Sequence, residues 1–158
     1  MSQGIVVKIQ EDRLDISSLM TKLIVNSMRE DEIGGVATFT GRVRGADETG
    51  EIYELFLEHY PKMTEKKITE IARNAFKKWE INGCTIVHRV GKLIPGDLIV
   101  FVGVTSRHRK EAFDACAFIM DFLKTEAPFW KKETGPLGER WVRSRDTDYI
   151  ARSKWKEK

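Results

Sequence analysis

Cationic side chains gather at both ends of one apolar stretch, Ser106 to Glu133, which reads SRHRKEAFDACAFIMDFLKTEAPFWKKE. His108 and Arg109 open it, Lys124 closes the apolar run, and Lys131 follows on the short aromatic segment after Pro128. Apolar spacing makes this run a helix that starts near the His-Arg pair, and Pro128 forbids its continuation. A helix start presents free N–H groups and partial positive charge, so His and Arg added there build an anion site rather than compensate the dipole. At the other end, Lys124 follows Met120 by four and Cys116 by eight, which puts it on the packed side of the helix. Lys131 shares a strand face with Phe129. If the two amines converge, their repulsion favours the neutral form of one, a group suited to acid–base work or nucleophilic attack. His88-Arg89 lies in mid-strand, where alternation turns one of the two to solvent.

Helix length constrains this chemistry. His108 and Lys124 are sixteen residues apart, roughly 24 Å at about 1.5 Å per residue. A small substrate cannot touch both in one protomer of a continuous helix. Either they serve different sites, or a symmetric dimer supplies the pair from one copy and the lysines from the other.

Other chemistries find no support. The chain has no GxxxxGK[ST], GxGxxG, HExxH or GxSxG motif. Its two cysteines, Cys84 and Cys116, lack CxxC spacing and read as small buried hydrophobes in a reducing compartment; no metal or other cofactor is expected.

The elements that must position these groups follow from periodicity. Ile5–Ile9 is a β-rich edge or first strand, and Asp15 caps a helix over about 16–29. Gly34-Gly35 breaks the chain before a strand over 36–44, with a bulge or twist possible at Gly41. The turn GADETG (45–50) then makes 52–58 the second arm of a hairpin. Met63, Ile68, Ile71, Ala72, Ala75, Phe76 and Trp79 mark an amphipathic helix of about 18 residues opening at Pro61. Asn82-Gly83 reads as a turn, 85–90 and 98–104 as paired strands around 91–97, and the second is apolar enough to be covered on both faces. Strand 129–133, a turn at 135–138 and 140–143 complete the pattern. Paired strands with about three helices predict the α+β class.

With 158 residues and ordinary hydrophobic content the chain predicts one domain, over 1–145, followed by a basic tail, 146–158. Residues 139–158 hold seven basic and four acidic side chains, a surplus equal to the whole net charge of +3. The neutral remainder argues against a nucleic-acid footprint and leaves room for a local positive pocket. A non-enzymatic phospholigand or RNA-binding module is the alternative this tail permits. No apolar run is long enough to span a membrane, and no basic start followed by an apolar block opens the chain, so the cytoplasm is expected.

Five blocks, FTGRVR (39–44), LEHYPKMTEKK (57–67), HRVGKLIPGD (88–97), VGVTSRHRKEAF (102–113) and DFLKTEAPFWKKE (121–133), together resemble the large, catalytic subunit of molybdopterin synthase. The likeness runs in the same order from about residue 5 to 145. It implies an α+β fold with a hammerhead-like β arrangement and a sulfurtransferase that converts cyclic pyranopterin monophosphate to molybdopterin. The sulfur would come from the C-terminal thiocarboxylate of a small, ubiquitin-like carrier ending in Gly-Gly. The assembly would be a homodimer of large subunits at the core of a heterotetramer. Motif by motif, Lys124 and Lys131 fall on the family's essential lysines. Arg44, His108 and Arg109 fall on the pterin-phosphate pocket, with Phe39, Met120 and Arg145 as further substrate-binding positions.

Overall fold

The most apolar strand of the sequence is sandwiched between helices. In the computed structural model, which describes residues 4–142 and 146–155, β8 (Leu98–Ser106) is central in a four-stranded sheet. Its neighbours are β6 (Ile81–Arg89) and β2 (Gly35–Arg42), both antiparallel to it, and β1 (Ile5–Gln10) lies parallel outside β6. Alternation sends Val100, Val102 and Val104 to one face, where they meet α2 (Met63–Lys78) and α3 (Arg109–Glu126) in the main core. Phe101 goes to the other face with Leu14, Leu23 and Val87, beneath α1 (Ile16–Asn26). A Cβ at Gly103 would stand 2.6 Å from Leu23 Cδ2, so glycine is what lets α1 approach the sheet. Both faces of β8 are therefore covered, as its composition predicts.

The second sheet is antiparallel, in the order β10 (Gly138–Val142), β9 (Phe129–Gly135), β5 (Glu54–His59), β7 (Gly91–Leu93). Leu55, Leu57, Val90 and Leu93 form its core, and Ile9 and Phe129 pack against both clusters. Gly91, at φ +86°, makes the corner by which the chain leaves β6 for β7 and so joins the two sheets. The α+β class is the one expected. Four α-helices occur among the described residues, α4 (Asp146–Ser153) lying within the segment read from sequence as a basic tail. Just after it Trp155 is buried, stacks edge-on with Trp79 and Phe118, and donates to Asp121 at 2.7 Å. No helix of the described residues is long and apolar enough to cross a membrane.

Three expectations are corrected. Residues 36–44 and 52–58 are not the arms of one hairpin, because β2 and β5 belong to different sheets. The anticipated irregularity at Gly41 is real: the register with β8 shifts between Gly41 and Arg42. Val43 then bonds Asp97 O and Gly96 bonds Val43 O, and residues 46–51 close a separate two-stranded ribbon, β3 (Ala46–Asp47) with β4 (Gly50–Glu51). Asn82-Gly83 is no turn either, but part of β6 beside a bulge. A Cβ at Gly83 would meet Ser27 Oγ at 2.1 Å, and Asn82 Nδ2 donates to Met28 O at 3.0 Å. The dipeptide thus serves the close packing of the end of α1. The same contacts stop α1 at Asn26, short of 29, since Met28 N donates to Asn82 O.

The third correction concerns His88-Arg89, neither of which projects freely into solvent. Arg89 is buried, its Nε and Nη2 donating to Glu11 O at 3.1 and 2.9 Å, with Asp97 3.8 Å away. Arg89 is a structural cation that ties the end of β1 to the 91–97 connection. Arg89→Met should lower stability by about 1–3 kcal/mol, because Glu11 O loses its donors and Asp97 its cation. A urea midpoint equal to that of the unsubstituted protein would refute this role.

Candidate active site

The cationic pair at the start of α3 is exposed. His108 occupies the N-cap with extended backbone and makes no side-chain cap bond, and Arg109 is the first helical residue. Ser106 Oγ holds the turn, accepting from His108 N at 3.3 Å and donating to Glu80 O at 3.1 Å. Gly34-Gly35 passes directly over this turn: a Cβ on Gly34 would lie 2.1 Å from Arg107 O. That close approach explains Gly34, and the turn presents Arg107, His108 and Arg109 together at one end of the molecule.

Helix α3 then runs unbroken to Glu126. Cys116 Sγ reaches Val102 O, midway along β8, and the charge of Lys124 reaches His88, whose strand partner is Val100. The helix therefore leads from the Ser106 end of the sheet to the Val100 end. Gly41 is also opposite Val100, so Arg44, just beyond the bulge, belongs to the lysine end and not to the His108 end. Arg44 is exposed, Phe39 is 43% exposed on the outermost strand, and Met120 is half-buried against the main core. Arg145 lies outside the described residues.

Lys124 is in the last turn of α3 and exposed, which corrects its expected place on the packed side. The core stripe of Ala115, Cys116, Ile119 and Leu123 faces the sheet, and the final turn carries Lys124 beyond that stripe. Lys131 does share the inner face of β9 with Phe129, as expected, opposite Leu57. Its Nζ lies 4.0 Å from Glu133 Oε1. Glu133 is buried and accepts from Arg140 Nη2 at 3.0 Å, and the same guanidinium nitrogen reaches Asp47 Oδ2 at 3.1 Å. Hydrogen bonds from the Thr49 hydroxyl and N–H, with the Arg140 charge, hold the Asp47 carboxyl down at about 2. A cavity of about 90 Å³ opens beside Glu133, Arg140 and the 135–138 turn, and one of about 540 Å³ along Val25–Arg29; neither is lined by Lys124 or Lys131.

Around Phe129 stand residues that the reading of the sequence did not select. His88 stacks on Phe129 with centroids 4.1 Å apart and planes 21° from parallel, and its Nδ1 bonds Arg89 O at 2.8 Å. His59, opposite Phe129 on β5, lies 3.3 Å from Glu65. Burial first, then the nearby charges of Lys124 and His59, pull His88 down to about 4, against the bond to Arg89 O, which acts the other way. Both cysteines are buried, as expected; burial raises both thiols, Cys116 to about 11. Among the described residues no cluster of three His, Cys, Asp or Glu could hold a metal ion.

The His88 shift has a measurable sign. Its folded pKa is below the ordinary 6.5, so between pH 6.5 and about 4 the unfolded chain binds more protons and stability falls as pH falls. At about 1.4 kcal/mol per unit the loss near pH 4.5 is about 2–3 kcal/mol. Urea midpoints at pH 7 and 4.5 should differ less in His88→Gln than in the unsubstituted protein; equal differences would refute the assignment.

The family model described as "MoaE protein" matches residues 9–126. Over 125 residues, 79% of this chain and 83% of the other, the chain is 57% identical to a molybdopterin synthase catalytic subunit of Yersinia pestis. It is 44% identical over 149 residues to that of Haemophilus influenzae, covering 94% of this chain and 97% of the other. Among solved structures, the molybdopterin biosynthesis MoaE protein of Burkholderia ambifaria superposes with a TM-score of 0.82 at 45% identity, over 98% of this chain and 99% of that one. The molybdopterin synthase of Staphylococcus aureus does so at 0.74 and 30%, over 90% and 98%.

Proposed function

The chain belongs to the MoaE protein family and acts as an enzyme of molybdopterin synthesis, and from that premise we propose how its two cationic ends divide the reaction. The substrate is cyclic pyranopterin monophosphate, and two dithiolene sulfurs are added to it. They arrive as the thiocarboxylate on the C-terminal Gly-Gly tail of a small ubiquitin-like carrier, in the cytoplasm. His108 and Arg109 hold the cyclic phosphate, for which guanidinium and helix N–H donors are the fitting partners. At the other end, Lys124 engages the carrier's terminal carbonyl and the substrate. Attack at that acyl carbon gathers negative charge on oxygen, which a nearby ammonium stabilises. Lys131, steadied by Glu133, transfers a proton or stabilises charge. Arg44 serves the same end, Phe39 and Met120 contact the substrate from nearer the middle of the sheet and helix, and Arg145 is proposed as a further substrate contact.

The observation that carries this reading is the unbroken α3, which keeps His108 and Lys124 at opposite ends of one protomer. A homodimer that places the start of one α3 beside the end of the other completes the site, with one small carrier subunit per large subunit. The exposed apolar groups along this flank, Val36 and Phe39 on the outermost strand and Phe113 on α3, suit such a contact. The test is molybdopterin formation from purified precursor and thiocarboxylated carrier. Formation at a rate dependent on this chain is expected, and none under those conditions would overturn the reading.

A further inference from the structure

The two lysines of the proposed reaction lie on either side of one short connection. Lys124 precedes Pro128 by four residues in the last turn of α3, and Lys131 follows it by three on β9. Their relative placement therefore depends on what holds residues 126–129. Phe129 N donates to Ala127 O at 2.9 Å, so Pro128 stands at the middle of a tight turn, offering only its carbonyl. One buried hydroxyl takes that carbonyl. Thr64, in the first turn of α2, is 0% exposed, and its Oγ1 donates to Pro128 O at 3.1 Å. The same oxygen accepts from Tyr60 N at 3.0 Å. A carbonyl only accepts and a backbone N–H only donates, so both roles of the hydroxyl are fixed.

Three elements meet at this oxygen. Ile68, Ile71, Ala72 and Ala75 anchor α2 in the main core, which gives Thr64 a rigid base. Tyr60 directly follows β5, whose last residue, His59, is the register partner of Phe129. The Tyr60 ring meets that of Trp130 edge-on, with centroids 6.0 Å apart. Three residues along α2, Lys67 reaches Glu126 at 3.5 Å, a partly exposed pair that adds little by itself. We propose that Thr64 is a positioning residue for the reaction: its hydroxyl fixes the 126–129 connection against α2 and so sets where Lys124 and Lys131 stand relative to each other. The part in turnover rests on the reading of those lysines as reacting groups; the hold on the connection does not. Misplacing reacting groups by about 1 Å can cost about 10²-fold in rate, so a loosened joint is felt in the chemical step more than in binding.

Two substitutions separate the hydroxyl from the shape. Thr64→Val keeps the volume and removes the hydroxyl, whereas Thr64→Ser keeps the hydroxyl and removes a methyl. Amide exchange of the full chain is read without turnover, by mass spectrometry on fragments covering 124–134. There it should speed up about tenfold in Thr64→Val while β8 stays protected, with Thr64→Ser close to the unsubstituted protein. In turnover, kcat should fall about tenfold in Thr64→Val, with KM for carrier changed less than about threefold, and recover in Thr64→Ser. Where Thr64→Val yields no folded chain, Thr64→Cys, of similar shape with a weaker donor, takes its place. Unchanged exchange over 124–134 overturns the hold on the connection and leaves the reading of the lysines standing. Faster exchange with unchanged kcat overturns the positioning role and leaves a structural bond. Equal changes in Thr64→Val and Thr64→Ser overturn it as well, since they would report lost packing. Full turnover by Lys124→Ala would instead remove the reading of that lysine and with it the part of Thr64 in the reaction.

Discussion

Lys124→Ala and Lys131→Ala are each expected to abolish most sulfur transfer while leaving the fold intact. Loss of one preorganised charge stabiliser lowers kcat by about 10²–10³ in well-studied sites. The structural cost is small. Lys124 is exposed at the end of its helix, and the apolar stripe that anchors α3 ends at Leu123. Lys131 gives up a 4.0 Å contact with Glu133, but that carboxylate keeps Arg140 at 3.0 Å. Partly exposed pairs of this kind contribute about 0–1 kcal/mol. Molybdopterin formed per minute should therefore fall by two orders of magnitude or more, with thermal midpoints within a few degrees of the unsubstituted protein. Near-normal turnover in both variants would remove the lysines from the reaction. A collapse of the midpoint would assign them to the fold instead.

What the sequence disclosed follows from which physical signals are local. Asp15 caps α1, accepting from Ser18 N at 3.1 Å, and Pro128 ends α3 within two residues, because caps and proline act through the adjacent backbone. The doubly covered strand 98–106 was legible for the same reason: its composition reports burial on both faces. Partner choice is not local. GADETG looks like a hairpin turn, yet the bulge at Gly41 and the bond from Val43 to Asp97 send β2 and β5 to separate sheets. Asn82-Gly83 reads as a turn until Ser27 is seen pressed against it.

The site divides along the same line. The chemical types at 108, 109, 124 and 131 were readable, and the helix length that separates them needed only a rise per residue. The surroundings of the lysines were not. His88 shares strand parity with Cys84 and Ile86, both in the main core, so an inward direction could have been read from alternation. What it faces could not, because Phe129, His59 and Lys124 come from three other elements. Glu133 is the same case: a buried carboxylate beside Lys131, held there by an arginine seven residues on.

Mixing His108→Ala with Lys124→Ala protomers should restore activity that neither variant has alone. In a mixed dimer one site receives His108 from one copy and Lys124 from the other, both intact, and the second site receives both substitutions. Random exchange makes about half of the dimers mixed, each with one good site, so about a quarter of the unsubstituted activity should return. The expectation follows from the straight course of α3. Sixteen residues at about 1.5 Å place the two side chains about 24 Å apart, far more than a pterin phosphate can bridge. Arg44 lies with the lysines, so on the proposed division of the site a phosphate held by both Arg44 and His108 calls for the partner copy's helix start. Doubly substituted protomers mixed with unsubstituted ones supply the control: every mixed dimer then pairs one intact with one damaged half at each site, and no activity beyond that of the unsubstituted dimers should appear. Absence of rescue in the first mixture, with dimer exchange verified by mass, would confine the site to one protomer and leave His108-Arg109 to a separate anion.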